Sequence, residues 1–268
     1  MIHLLKLEFL KIKNYKPFQV MVLFYLILLP ATLMLGKALP EEPAAFLGVP
    51  GCFNFPNIWK FMGYIGNWLG FFFLGFIGVL LITMEFGNKT LRQNIITGLS
   101  RKEYFSAKII FITAISLLAT AYYFLSGTAI GLIHADPFYM DVYIKSINYL
   151  PAYFLMSFAY MAFGLFLGML VRRTGFAIFL FLAYGMFLEN IVRGIHLYYF
   201  QSSRTVIFYP LNAIEDLTPL PFVEMANDMI KEMDFNPFMT SGEAMITVSI
   251  YTALFIFGAY RLMLNRDL

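Results

Sequence analysis

The sequence is poor in the residues that soluble enzymes and nucleic-acid-binding proteins rely on. Cys52 stands alone, which excludes an internal disulfide and a cysteine-built metal cluster. His3, His134 and His196 are scattered, so neither a metal-ligand pattern nor a Ser-His catalytic pair can be assembled from them. No G-x-x-x-x-G-K-[ST] run occurs, and nothing in the chain is able to cradle a nucleotide. Charge is scarce as well. Asp, Glu, Lys and Arg make up 13% of the 268 residues, where a soluble domain carries about 25%. The net charge of +3 is too small to imply a nucleic acid partner. Hydrophobic residues fill the space, at 60% of the chain. Most of this chain needs a solvent other than water.

A spanning helix takes about 20 mostly apolar residues. Six stretches meet that length: 18–36, 58–84, 109–133, 149–171, 175–196 and 244–263. The expectation is one all-α, polytopic transmembrane domain over residues 1–268. Lys and Arg set its orientation. Lys6, Lys11, Lys13, Lys16, Lys89, Arg92, Arg101, Lys102, Lys108, Arg172, Arg173, Arg261 and Arg266 fall on one side. Lys37, Lys60, Lys145, Arg193, Arg204 and Lys231 fall on the other, among most of the acids. That asymmetry places both termini in the cytoplasm. Residues 1–16 read as an amphipathic interfacial helix, with Ile2, Leu5, Phe9 and Ile12 as its apolar stripe and Lys6, Lys11, Lys13 and Asn14 toward headgroups. A plain basic flank that orients the first span explains the same residues equally well. Residues 37–57 and 201–242 read as outer loops, the second containing an acidic run, PFVEMANDMIKEM, able to form one short helix.

The longest polar interruption between two apolar blocks is residues 85–108, EFGNKTLRQNIITGLSRKEYFSAK. Gly87 or Asn88 can cap a short helix there, and Gly98 suits its left-handed C-terminal cap. Leu91, Ile95 and Ile96 share one face, which leaves Lys89, Thr90, Arg92, Gln93, Asn94 and Thr97 to water or a partner. Ser100 then opens a second helix, from Arg101 onward. A short basic helix lying flat under a membrane between two spans looks like a docking surface.

Gly87, Lys89, Thr90, Arg92, Ile95, Ile96, Gly98, Ser100, Arg101 and Lys108 together resemble the loop between the second and third spans of ABC transporter permeases of the type-2 (export) family. The pattern is especially similar to the small permeases of lantibiotic and bacitracin self-protection. The resemblance implies that this loop is a coupling helix seated in a groove of a separate ATPase subunit. Gln93 and Lys102 join the docking set, as does Glu85, which reads as a hinge or ATPase-side contact or equally as a snorkelling boundary carboxylate. It also implies two ATPase copies that hold the ATP and Mg, and no cofactor on this chain. A second permease copy or a related permease, a peptide, drug or lipid-like substrate, and a bacterial plasma membrane complete the expectation. The alternative is a non-transporting membrane scaffold or sensor subunit that holds another cytoplasmic partner by the same loop.

Two further features stand apart from the loop. Gly66 with Gly70, and Gly164 with Gly168, have small-x-x-x-small spacing, which serves intrachain packing, a dimer face or a moving contact. Glu189 and Arg193 form a candidate intramembrane polar pair at i,i+4 spacing. At 1.5 Å per residue Glu189 lies about 22 Å from Thr174, in the outer part of the membrane. It marks a polar lining or break where the fifth span turns, as in family members with re-entrant helices after that span. Otherwise the span ends by Phe187 and both residues are interfacial.

Overall fold

Lipid offers no partner to backbone N–H and C=O groups, so long apolar runs must satisfy them within helices. Every regular element among the described residues is helical. The computed structural model describes residues 2–35, 52–88, 90–96, 98–134, 139–200, 204–219, 221 and 238–265, without the side chains of Ile2, Arg92, Lys145 and Ser146. The order is α1 (Ile2–Ile12), α2 (Lys16–Leu35), α3 (Asn57–Gly87), α4 (Thr90–Ile96), α5 (Arg101–His134), α6 (Met140–Ser146), α7 (Tyr149–Val171), α8 (Thr174–Phe200), α9 (Pro210–Glu215) and α10 (Ser241–Leu264). Six helical units are long and apolar enough to cross a membrane: α2, α3, α5, α6 with α7, α8 and α10. The chain is an all-α polytopic membrane protein.

Two of the spans, α3 and α7, are mostly buried, and the others wrap them. Their crossing is made possible by glycine. A Cβ added at Gly164 of α7 would collide with the carbonyl oxygen of Gly75 in α3, and one at Gly78 with that of Met161. Gly168 meets Ile82 and the Val79 carbonyl in the same way. Where lipid gives no hydrophobic drive, this backbone approach maximises van der Waals contact. Gly66 accommodates the Tyr153 ring, whereas a Cβ at Gly70 would meet its neighbours at 3.5 Å, an ordinary contact. The four spaced glycines thus pack within the chain. α3 and α8 each contain one π-helical turn, Gly70–Leu74 and Tyr184–Leu188, and these face one another, with Gly185 against the Phe71 ring.

The two ends of the bundle differ. One end, the basic end, gathers α1, α4, the start of α5, the α7–α8 corner and the end of α10. Arg172 there takes the left-handed conformation at φ 63° and lays its guanidinium 5.0 Å from the Phe86 ring centre. At the opposite end the structure departs from a simple outer loop. Val206, Ile207, Leu211, Ala213, Ile214 and Leu217 are all buried, so residues 204–218 send six apolar side chains into the core. The apolar run 206–211 is far shorter than a span and is followed by Asn212, Glu215 and Asp216, which hides this in the sequence. Residues 36–51 and the acidic run at 222–233 lie outside the described residues.

The first helix also differs from its expected face. Phe9 is 50% exposed and Leu10 46%, while Glu8 and Ile12 are buried against the bundle and Lys11 turns partly inward. The stripe expected of Leu5, Phe9 and Ile12 is therefore split (Ile2 lies outside the described side chains), because buried ion pairs fix the rotation of α1.

Candidate functional site

The stretch 85–108 folds as two helices joined by a tight turn. Gly98 has φ +107°, in the left-handed region that glycine adopts freely. The N–H of Leu99 reaches the Asn94 carbonyl at 3.1 Å and that of Gly98 the Ile95 carbonyl at 3.1 Å, satisfying the last carbonyls of α4. Ser100 then caps α5 reciprocally. Its Oγ accepts the Glu103 N–H at 3.2 Å, and the Glu103 carboxylate accepts the Ser100 N–H at 3.0 Å. This capping box lets α5 run as one helix from Arg101, continuous with the third span.

Leu91 anchors α4 against the end of α3, buried to 4% exposure, and Ile95 is half-buried. Ile96 departs from the shared face expected of it. It is 74% exposed, because only seven residues of helix separate the end of α3 from Gly98 and the last turn projects beyond the bundle. Gln93 and Lys102 are exposed, as are Gly87 and Gly98, and Thr90 is half-buried. Lys89 and the side chain of Arg92 lie outside the described residues. Arg101 does not simply face outward. Its guanidinium donates to the carbonyls of Leu264 at 2.7 Å and Met263 at 3.2 Å, capping the C-terminus of α10.

Beneath α4 lies a buried ion cluster. Glu85, at 1% exposure, receives Lys108, Lys11 at 3.2 Å, the Tyr104 hydroxyl at 2.8 Å and the Asn94 amide at 3.5 Å. Lys108, fully buried, also pairs with Glu8, which accepts Lys11 at 2.7 Å. The Lys108 ammonium lies 5.0 Å from the Tyr104 ring centre. Two acids balance two lysines, so each buried charge is paired and hydrogen-bonded, as burial in low dielectric requires. Burial pulls the Lys11 ammonium down, but the carboxylates of Glu85 and Glu8 outweigh it and hold its pKa above the ordinary lysine value. Glu85 is thus a support under α4 and is not itself presented to a partner. Glu8 was not singled out in the sequence; the signal was one acid among four lysines, three residues before Lys11.

The opposite end holds a second polar group. The Glu189 carboxylate accepts the N–H groups of Asn212 at 2.7 Å and Leu211 at 3.0 Å, at the start of α9. Asn67 of α3 donates to the Thr218 hydroxyl at 2.8 Å and to the carbonyls of Ile214 and Glu215, each at 3.3 Å, and accepts Tyr160 at 2.6 Å. Glu189 therefore fixes α9 instead of closing on Arg193. Arg193 lines a cavity of about 350 Å³ with Asn67, Trp68, Glu215 and Asp216, adjoining one of about 200 Å³. Glu215 keeps an exposed edge, but partial loss of hydration beside the cavity, with the Glu189 and Asp216 charges near it, pushes its carboxyl up to about 7 despite Arg193. Burial likewise lifts Asp216 to about 6, against the Met239 N–H and Arg193. Among the described residues no group of three or more His, Cys, Asp or Glu side chains is placed to hold a metal.

Six apolar spans, with the short helix α4 at the basic end, define a multi-pass membrane protein. The family model described as ABC-2 family transporter protein matches residues 4–188, which takes in α1, the first four spans, α4 and most of α8. The chain belongs to the ABC-2 transporter family, whose members are the membrane permeases of ABC transporters and associate with ABC ATPases. A search of curated proteins finds no match.

Proposed function

We propose that this chain is the membrane-spanning subunit of an ATP-driven exporter and that α4 docks in a separate ATPase subunit. Two ATPase copies hold ATP and Mg, and two permease copies or two related chains enclose the path. Closure of the ATPase pair on ATP pushes α4, and α3 and α5 carry that displacement into the bilayer. A two-state packing between the membrane halves is what nucleotide then biases. Both termini, α1 and α4 lie on the cytoplasmic side of a bacterial plasma membrane, as the Lys and Arg asymmetry favours. The substrate class is a peptide, drug or lipid-like molecule, by likeness to the lantibiotic and bacitracin self-protection branch.

One observation carries the reading. Ile96 is 74% exposed at the tip of a helix that is rooted in two spans by Leu91 and Glu85. An apolar side chain held out from the polar end of a membrane protein on rigid support is what a groove in a partner recognises. The test is purification from the native host's membranes, followed by mass spectrometry and ATP hydrolysis on what co-purifies. The native chain brings down an ABC ATPase, and Ile96→Asp lowers its recovery by about tenfold, the equivalent of about 1.4 kcal/mol. If no ABC ATPase comes with the native chain, or Ile96→Asp recovers as much, the reading fails.

A further inference from the structure

We infer that α1 is part of the docking unit: it is locked to α4 by the buried ion cluster and moves with it as one rigid body, with Glu8 and Lys108 as positioning residues. This rests on the docking role proposed for α4. Three separate parts of the chain meet in the cluster. Glu8 and Lys11 come from α1, Glu85 from the end of α3, and Tyr104 and Lys108 from the first turns of α5. Asn94 adds α4 through Glu85. α1 therefore reaches α4 through Glu85, which Lys11 meets directly at 3.2 Å and Glu8 meets by way of Lys108, and to which Asn94 of α4 donates at 3.5 Å.

Apolar packing does not make this connection. A cavity of about 310 Å³ opens between Leu4 and Leu7 of α1 and Asn94, Gly98 and Leu99 at the end of α4, with Glu8 and Lys11 among its walls. The charges span a gap that grease leaves empty. The difference matters mechanically. Apolar contacts are non-directional, whereas parting one buried charge from another leaves both uncompensated in low dielectric. A cluster of four such charges has one arrangement that satisfies all of them. Displacement of α4 is thus passed to α1, and the free rotation of an interfacial helix on lipid is suppressed, consistent with Phe9 and Leu10 being turned outward.

Spin labels decide the question. The chain is prepared with Cys52→Ala and paired cysteines, reconstituted in nanodiscs with its co-purifying ATPase, and measured by pulsed electron resonance without nucleotide, with a non-hydrolysable ATP analogue and after vanadate trapping. The Leu7→Cys/Leu99→Cys pair should keep one narrow distance in all three states, while Leu99→Cys/Gly175→Cys, which reports α4 against the start of α8, should shift. Adding Glu8→Gln should broaden the Leu7–Leu99 distribution and lower the permease-dependent change in ATP hydrolysis per ATPase bound. A Leu7–Leu99 distance that shifts with nucleotide, or a Glu8→Gln chain that behaves as native in both readouts, overturns the inference. If neither pair responds to nucleotide, the docking reading fails first, and the inference with it.

Discussion

Single glycines give the sharpest residue-scale expectations, because the same residue type sits in opposite circumstances. Gly164 touches the backbone of α3, which cannot step aside for a methyl group, whereas Gly70 has ordinary space around it. Gly164→Ala should destabilise the protein by about 1–3 kcal/mol through overpacking, seen as a lowered melting temperature in detergent. Gly70→Ala should leave it close to native. Equal effects would mean that α3 and α7 do not cross as described. The spacing of these glycines was plain in the sequence, and so was Gly98 as a turn. Which glycine meets backbone and which meets a flexible side chain was not, since that depends on the rotation of two helices about their axes. Arg101 teaches the same point. Its basic charge reads as part of a docking face, yet the carbonyls it caps are 162 and 163 residues further along.

Among elements, α9 and α1 carry the information that hydropathy missed. α9 is short, lies in a Pro-rich stretch and carries Glu215, so a window of about 20 residues averages it into a polar loop. Its burial is declared by Glu189 and Asn67, which cap its two ends. The Glu215 carboxyl, lifted to about 7, gives this element a pH dependence. A carboxyl whose folded pKa lies above its unfolded one contributes stability that is present below the unfolded value and is lost as pH rises through the folded value. The window runs from about 4.5, the ordinary value, to about 7. Melting temperature should rise as pH falls from about 8 to about 5, and Glu215→Gln should flatten that rise. An unchanged slope in the variant would assign the effect elsewhere. For the first sixteen residues the sequence showed four lysines and hid the partners of Lys11. Glu85 and Lys108 lie 74 and 100 positions from the α1 residues they engage, Lys11 and Glu8, beyond the reach of any local periodicity.

For the whole molecule, the six-span plan and the gathering of basic residues at one end were legible, because both follow from the cost of placing charge in lipid. Family membership over residues 4–188 agrees with that plan. What the sequence could not disclose is that the basic end is braced from within. Lysines that count toward the positive side, Lys11 and Lys108, are spent on ion pairs, and Arg101 on a helix end. Among the described residues, the outward-facing part of the proposed docking surface narrows to Ile96 with Gln93 and Lys102. That narrowing changes how the surface should be probed: reversing Arg101 would also uncap α10, whereas Ile96 makes a clean target.

Photo-crosslinking at Ile96 tests the central claim most directly. A photoreactive amino acid is placed at Ile96, and for comparison at Leu132 near the opposite end of α5, in chains assembled with the ATPase in native-host membranes. The account predicts that the Ile96 probe joins the chain covalently to an ABC ATPase, with a yield that changes when ATP is added, and that the Leu132 probe does not. An Ile96 probe that yields no ATPase adduct in any nucleotide state, or one matched by Leu132, would contradict it.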